Sequence, residues 1–347
     1  MIKKLSSYKK GQPLIKNAYM SYALFGLFLA LMPLFGYLGI IKSSYVTIIA
    51  SVIYYSIAAL GLNVLLGWTG LISLGTAGFM GLAAYISAYI TYNMHLPFEI
   101  ALVTAVVVST LLGVLVGYIS LRIEGIYLAI ATLAVAEILR KTFEVFDPFT
   151  GGASGKPISY PTLFFFYKYS RADLKIFETL LYLILVLFLI AVMILVHNLM
   201  KGQVGRALNA LRGSEAAAQA MGINLLKYRL FAFGFASATA SLAGVLYVHY
   251  NRYTNPDRWL LALSLNLVAA IIIGGVRNIY GTILGVFIVV ATKDMVLAQI
   301  PYFANNPNFA LMFNGILIIL IILYYPYGLI RIGADLKKLV VKIKEKF

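Results

Sequence analysis

Long apolar runs alternate with short polar segments along almost the whole chain. A helix needs roughly 20 mostly apolar residues to cross the hydrocarbon core of a bilayer. The pattern therefore predicts an all-α fold, a polytopic transmembrane helix bundle. About ten spans fit this length, near residues 19–40, 44–66, 71–92, 97–121, 126–146, 176–200, 228–250, 260–276, 278–299 and 309–330.

The composition agrees with this fold class. Hydrophobic residues make up 62% of the 347 residues and charged residues only 12%, and the mean hydropathy is +0.91. A soluble domain typically has about 25% charged residues. The chain has no cysteine and three scattered histidines, His95, His197 and His249. Disulfides, thiol catalysis and Cys-ligated metals are excluded, and we predict no metal site.

The net charge of +16 comes largely from basic residues in the segments between the apolar runs. This distribution is typical of membrane topology signals and does not indicate nucleic-acid binding. With the N-terminus in the cytoplasm, 18 of the 28 lysines and arginines lie in inside segments. We therefore predict that both termini are cytoplasmic. The predicted parts are a basic N-terminus at 1–18, a transmembrane domain at 19–330 and a basic tail at 331–347, with a cytoplasmic loop at 201–227 and an external loop at 147–175.

The predicted external loop contains TGGASGKP, residues 150–157, which has part of a nucleotide-binding P-loop. That motif, G-x-x-x-x-G-K-[ST], requires a first glycine and a hydroxyl after the lysine. Thr150 and Pro157 occupy those two positions, and proline offers neither an N–H nor a hydroxyl. Thr150, Gly151 and Gly152 are therefore predicted to form a glycine turn. We expect the chain to bind no nucleotide cofactor of its own and to be no enzyme.

The predicted cytoplasmic loop has the signals of two short helices. The first is amphipathic and is predicted to end at Gly213. Ser214 is a good N-cap for the second, Glu215–Met221, and Gly222 is placed for a left-handed C-terminal cap. The small alanines of this second helix let another surface come close, which favours a docking helix. The residues alone equally allow an interfacial helix lying against lipid headgroups.

Several segments, in order along the chain, resemble the branched-chain amino-acid ABC transporter permeases, in particular the M-type (LivM-type) subunit. The match covers most of residues 57–290. It includes IAALGLNVLLGWTGLISLGTAGFMGLAAYISAY (57–89), LRIEGIYLAIATLAVAEILR (121–140), TGGASG (150–155), GRALNALRGSEAAAQAMGINLLKYRLFAFGFASATASLAGVLY (205–247) and IIGGVRNIYGTILG (272–285). The last segment matches the family's GG-x₅-G-x₃-G pattern, and Arg277 stands where the family commonly has glycine.

Glu215-Ala216-Ala217 followed by Gly222 also resembles the EAA loop of ABC importer permeases. In that loop a short coupling helix sits in a groove of the ATP-binding subunit. The usual spacing has three residues before the glycine, whereas this chain has four, residues 218–221. The resemblance assigns to an ATPase-coupling helix the residues Gly205, Arg206, Ser214, Glu215, Ala216, Ala217 and Gly222.

The resemblance implies a multi-pass permease of a prokaryotic plasma membrane, with leucine, isoleucine and valine as the expected substrates. Its implied partners are a second, H-type permease subunit, two ATP-binding subunits that hold ATP and Mg²⁺, and an external substrate-binding protein. Related permeases for urea, other amino acids or nucleosides remain an alternative. An ion-coupled secondary transporter is a further alternative, for which Glu137 and Asp294 are the only obvious intramembrane carboxylates.

Small and polar residues within the predicted spans supply candidates for packing and for a translocation path. Small residues let helices approach closely, and buried amides need partners. We interpret as packing glycines Gly67, Gly70, Gly75, Gly78, Gly274, Gly275 and Gly281. The candidates for the path are Asn63, Ser73, Thr76 and Asn266.

Charged residues in two of the predicted spans need separate explanations. Glu137, Arg140 and Lys141 have helical spacings that favour pairing with one another. Lys293 and Asp294 are adjacent, so they do not face each other on a helix and each needs another partner. The sequence leaves open whether they pair across a subunit interface or mark the path.

Overall fold

The computed structural model describes residues 18–121, 126–158, 174–292, 295, 307–325 and 328–331. Within these ranges the helices are α1 (Ala18–Ala30), α2 (Met32–Tyr37), α3 (Ser43–Asn63), α4 (Thr76–Tyr92), α5 (Phe98–Ser120), α6 (Ile126–Val145), α7 (Asp147–Thr150), α8 (Leu174–Lys201), α9 (Gln203–Gly213), α10 (Glu215–Ala220), α11 (Leu225–Asn251), α12 (Leu261–Gly274), α13 (Ile279–Ala291) and α14 (Pro307–Tyr324). A π-helix, Val64–Thr69, continues α3, and β1 (Lys156–Pro157) pairs antiparallel with β2 (Tyr253–Thr254).

Six helical segments in the described residues are long and apolar enough to cross a membrane. They are Ala18–Tyr37, Ser43–Thr69, Phe98–Ser120, Ile176–Lys201, Leu225–Asn251 and Pro256–Gly274. The other predicted spans overlap α4, α6, α13 and α14. The all-α membrane bundle is therefore confirmed. Residues 1–17 of the predicted N-terminal segment, residues 159–173 of the predicted external loop, most of the tail, and Lys293 and Asp294 lie outside the described residues.

α11 lies at the centre of the bundle, in contact with α3, α4 and α5. The apolar centres of α3 and α11 are each 78% buried, compared with 17% for α1 and α2 together. Small residues permit this packing: a Cβ on Gly244 of α11 would overlap the Met80 carbonyl of α4, and one on Gly61 of α3 would overlap Thr239. The peripheral helices present apolar side chains outward, as expected of surfaces that face lipid.

The predicted start of the third span is wrong. Residues 70–75 are not helical, and α4 begins only at Thr76. Because α4 has 17 residues, it is only about 25 Å long. The first predicted span is also divided, since α1 ends at Ala30 and α2 begins at Met32 with Pro33 in its first turn.

Segments predicted to share one side of the membrane do meet in the structure. The ends of α3 and α9 and the turn between α12 and α13 lie together, joined by hydrogen bonds of Arg212 and Arg277 to Gly67. At the opposite ends of α8 and α11, the helices that flank α9 and α10, Arg252 pairs with Glu178 at 2.9 Å, and β1 pairs with β2. Among the described residues, the fold therefore groups the predicted inside segments at one end and the predicted outside segments at the other.

Candidate functional site

The α9–α10 segment consists of two short consecutive helices between the long helices α8 and α11. The Ser214 hydroxyl accepts a hydrogen bond from the Ala217 N–H at 3.3 Å, which confirms the predicted N-cap. α10 ends at Ala220, one residue before the prediction, and Gly222 has the left-handed φ of +79° that a C-terminal cap requires. The Gly222 N–H donates to the Gln219 carbonyl at 2.9 Å. Both ends of the short helix are therefore capped.

Three contacts fix this segment to the bundle. Gly205 is buried where α9 follows α8, and a Cβ there would overlap the Met200 backbone. The Arg206 guanidinium donates to the Lys201 carbonyl at 3.4 Å. At the other end the Glu215 carboxylate forms an ion pair with Arg229 of α11, a contact that sequence reasoning missed.

The outer face of α10 is accessible and mostly apolar. Ala216 and Ala217 are exposed, whereas Ala218 is buried against the rest of the protein. Met221, which follows the helix, is 81% exposed. An exposed methionine beside small residues is typical of an adaptable binding surface. Sequence reasoning had treated Met221 only as the end of the helix.

The π-helix that extends α3 ends at a junction of three chain segments. The Gly67 carbonyl accepts hydrogen bonds from Arg277 Nε at 2.7 Å and from Arg212 Nη1. The Asn63 amide oxygen accepts from the Arg277 N–H at 3.0 Å, and its Nδ2 donates to Thr282 Oγ1 at 2.7 Å. Burial and the nearby Arg212 charge lower the pKa of Arg277. Asn63 is thus buried with both of its polar atoms bonded; its role in a path stays a prediction.

A break in helical structure separates the π-helix from α4, and hydroxyl groups satisfy much of its backbone. Within the break, the Leu74 N–H donates to Thr132 Oγ1 at 3.0 Å, and the Gly75 N–H donates to Ser73 Oγ at 3.3 Å. At the start of α4 the Ala77 N–H donates to Ser264 Oγ at 3.0 Å. Irregular backbone at membrane depth occurs where it is buried in protein or lines a water-filled cavity. The structure buries much of this connection in protein, where hydroxyl groups serve as its hydrogen-bond acceptors.

Two of the path candidates lie at this break. Ser73 and Thr76 are buried and line a small cavity with Ser237 of α11 and the rings of Phe79 and Phe233. The cavity has room for about one water molecule. The structure therefore brings Ser73 and Thr76 together, in a space too small for an amino acid in this conformation.

Asn266, the fourth path candidate, lies apart from the other three. It is exposed on α12, and its side chain makes no hydrogen bond with the described part of the chain. Polar residues within a membrane usually face the bundle interior or a water-filled cavity rather than lipid. The α12 face that carries Asn266 is therefore suited to a protein partner or an aqueous path.

The charged cluster on α6 pairs internally, as its spacing predicts. The Arg140 guanidinium binds both carboxylate oxygens of Glu137, with Nε at 3.0 Å from each. Arg140 and Lys141 also contact Glu144, at 3.2 and 2.9 Å. Glu137 is thus occupied by a charged partner. No group of His, Asp and Glu among the described residues has the arrangement of a metal site.

The predicted glycine turn docks on the opposite end of the bundle. Thr150 ends the short helix α7 and its hydroxyl accepts from the Gly152 N–H at 3.2 Å, and Gly151 has a φ of +74°. Lys156 is buried, which the sequence did not indicate. Its ammonium group donates to the Phe149 carbonyl at 2.8 Å and lies 4.7 Å from the centre of the Tyr89 ring. The motif thus forms an ordered turn.

Most of the predicted packing glycines occupy close approaches. A Cβ on Gly78 would lie 2.8 Å from the Ala136 Cα of α6, and one on Gly75 3.2 Å from the Thr132 carbonyl. Gly274 and Gly281 face each other where α12 packs on α13, and a Cβ on either would overlap the other's carbonyl. Gly67 lies against Asn63 at the junction. Gly70 and Gly275 instead have positive φ values, +79° and +114°, and shape turns.

Comparison with known proteins identifies the family to which this architecture belongs. Residues 44–322 match the family described as branched-chain amino acid transport system / permease component. The chain is 30% identical over 305 residues to the high-affinity branched-chain amino acid transport system permease protein LivM of Salmonella typhimurium, covering 82% of this chain and 69% of that protein. It is 28% identical to a probable LivM of Methanocaldococcus jannaschii, covering 71% and 74% of the two chains.

The similarity extends to the second permease type. The chain is 27% identical to a probable branched-chain amino acid transport permease protein LivH of Methanocaldococcus jannaschii, covering 75% of this chain and 83% of that protein. No solved structure matches the chain. The family match spans the helices from α3 to α14, including the α9–α10 segment and the break before α4. The chain belongs to the family of branched-chain amino acid transport system permease components.

Proposed function

We propose that this chain is the transmembrane permease subunit of an ATP-binding cassette importer that moves leucine, isoleucine and valine across the plasma membrane of a prokaryote. It crosses the membrane about ten times, with both termini in the cytoplasm. ATP and Mg²⁺ bind to two separate ATPase subunits, and this chain binds no cofactor. A second, H-type permease subunit completes the membrane part, and an external binding protein delivers the substrate.

The observation that carries the proposal is the accessible helix α10. It is capped at both ends, fixed to the bundle by Gly205 and by the Glu215–Arg229 pair, and exposes alanines and Met221. A rigid apolar projection of this kind fits a groove on a partner protein. Closure of the ATPase pair would then move α9 and α10 and rock the bundle between two conformations.

The family match and the LivM relatives support the substrate class. The apolar character of leucine, isoleucine and valine also fits a passage lined by apolar side chains and hydroxyls, as at Ser73 and Thr76. Glu137 is paired with Arg140, which leaves no free carboxylate on α6 at that position for ion coupling. The ion-coupled alternative is therefore less well supported than the importer.

The test is to isolate the tagged chain from its native membranes in mild detergent and to identify the proteins that accompany it by mass spectrometry. We expect a second polytopic permease and an ATPase with a Walker A motif. The isolated complex is then reconstituted with its binding protein, and ATP-dependent uptake of labelled leucine is measured in competition with valine, urea and a nucleoside. A chain isolated alone, with uptake driven by an ion gradient, would overturn the proposal; competition by urea or a nucleoside alone would change the substrate.

A further inference from the structure

The Gly67 carbonyl oxygen joins parts of the chain that are far apart in sequence. Arg212, in the last turn of α9, and Arg277, in the turn between α12 and α13, both donate to it. The separations along the chain are 145 and 210 residues. The α9–α10 segment is thereby connected directly to the end of a central membrane helix.

Helix physics explains why two cations share one acceptor. The last carbonyls of a helix have no partner within the helix, and cations near a C-terminus are stabilised by the helix dipole. Ser43–Thr69 is a continuous helical segment of 27 residues, so its end offers both effects. Gly67 also excludes a side chain that would press on Asn63, because a Cβ there would lie 2.6 Å from Asn63 Oδ1.

The junction has two features that a simple loop tether does not need. α3 continues as a π-helix only over Val64–Thr69. π-Helical turns are rare in proteins, and those that occur are often found at functional sites. Arg277 has a φ of +68°, a strained conformation for a residue with a side chain. The surrounding hydrogen bonds hold that conformation: the Arg277 N–H binds Asn63, and its guanidinium binds Gly67.

The position of the junction gives it a mechanical consequence. Gly67 lies three residues before the non-helical residues 70–75, which include Ser73 and lead to Thr76, the first residue of α4. Asn63 also connects the junction to α13, because its Nδ2 donates a hydrogen bond to Thr282. A displacement of α9 would therefore reach the break before α4 and the α12–α13 hairpin at once.

We propose that Arg212 is a positioning residue that transmits movement of the α9–α10 segment, through the Gly67 carbonyl, to the π-helical end of α3 and the break before α4. This inference rests on the proposed function, because it assigns a route to the motion that ATPase subunits would impose. It makes no use of the contact between α10 and its partner, which other residues provide.

The test uses the whole complex, reconstituted in proteoliposomes with its binding protein. The variants are Arg212→Ala and Arg212→Lys, and the control is Lys201→Ala, which removes one exposed positive charge from the end of α8. Uptake and ATP hydrolysis are measured together. We expect Arg212→Ala to lower the amount of leucine moved per ATP by about fivefold or more, within the range of typical coupling between sites. Arg212→Lys should recover part of the loss, and the control should match the unmodified complex.

Arg277→Gly provides an independent measurement at the same acceptor. It removes the second donor while glycine adopts the positive φ freely. If both arginines act through Gly67, the double variant should lose less than the product of the two single losses. An unchanged leucine-to-ATP ratio in Arg212→Ala would overturn the inference. A double variant whose loss in this ratio equals the product of the two single losses would also overturn it. If Arg212→Ala does not assemble, Arg212→Gln repeats the test with a neutral donor; failure of both to assemble would show a folding role and overturn the inference.

A failure of the proposed function can be distinguished from a failure of this inference. Absence of ATP-dependent uptake by the unmodified complex would overturn the importer itself. An active unmodified complex with a normal ratio in Arg212→Ala would overturn only the route through Gly67.

Discussion

The Glu215 carboxylate pairs with the Arg229 guanidinium, and this pair ties the first turn of α10 to the first turns of α11. Glu215 is the first residue of the EAA-like sequence, and its side chain turns back to the same protein chain. The pair therefore sets the angle at which α10 projects from the bundle. α11 lies at the centre of that bundle, so the contact connects α10 to the core.

Breaking this pair should affect uptake more than stability. The Glu215 side chain is 50% exposed and the Arg229 side chain 15% exposed, and an ion pair that is open to solvent on one side typically contributes about 1 kcal/mol to the free energy of unfolding. We expect Glu215→Ala and Arg229→Ala to lower ATP-dependent leucine uptake severalfold with little change in the melting temperature. The double variant should be no worse than the worse single variant, and the exchange Glu215→Arg with Arg229→Glu should restore part of the uptake. Losses that multiply in the double variant would contradict a shared role.

Ala217 and Ala218 allow a docking role to be tested apart from a folding role, because these neighbours on α10 differ in burial. Ala217 is exposed and Ala218 is buried. We expect Ala217→Trp to leave the melting temperature unchanged and to abolish copurification of the ATPase subunits. Ala218→Leu overpacks a buried position and should destabilise the segment by roughly 1–3 kcal/mol. ATPase copurification at the normal level with Ala217→Trp would favour an interfacial helix over a docking helix.

Gly222 tests whether the turn after α10 must keep its left-handed conformation. A Cβ at Gly222 would meet no atom within 4 Å, so only the backbone φ of +79° opposes substitution. A left-handed conformation costs an ordinary residue about 1–2 kcal/mol, and asparagine tolerates it best. We expect Gly222→Val to uncouple uptake from ATP hydrolysis and Gly222→Asn to retain most uptake. The measurement is the leucine-to-ATP ratio of each variant complex, and equal ratios in the two variants would exclude a conformational requirement.

The helices and the capped loop were predictable because they depend on local patterns. Apolar runs locate the spans, and Ser214 and Gly222 locate the ends of α10, since capping involves residues only a few positions apart. The Glu137–Arg140 pair follows from helical spacing for the same reason. Each of these features is encoded within about one helical turn or one span.

The junction at Gly67 could not be predicted in the same way. Val64–Thr69 has the residues of an ordinary apolar helix, so its sequence indicates neither the π-helical geometry nor the hydrogen bonds from Arg212 and Arg277 to Gly67. The break at residues 70–75 was missed because its leucines and isoleucine continue an apolar run. The Thr132 hydroxyl of α6 binds the break itself, and the Ser264 hydroxyl of α12 binds the start of α4. These elements involve contacts between residues far apart in the sequence, which a local sequence pattern does not predict.

Asn63 and Asn266 were both predicted to line a path, and the structure gives them opposite surroundings. Asn63 is buried, and its amide oxygen is the acceptor for the Arg277 N–H. Replacement by leucine would leave that N–H without its acceptor, which costs about 1–3 kcal/mol. Asn266 is exposed and its side chain makes no hydrogen bond with the described residues, so its replacement leaves none of their buried groups without a partner.

We therefore expect Asn63→Leu to lower the melting temperature of the purified complex, and Asn266→Val to leave it unchanged. If Asn266 faces the path or the partner permease, Asn266→Val should change the rate of leucine uptake severalfold while the ATPase subunits still copurify. Asn266→Gln, which keeps the amide, should have a smaller effect and serves as the matched control. The two melting curves and the two uptake rates decide the matter together. Normal uptake by Asn266→Val would exclude this residue from the path, because an amide that meets a passing solute or a partner at membrane depth cannot be lost without effect.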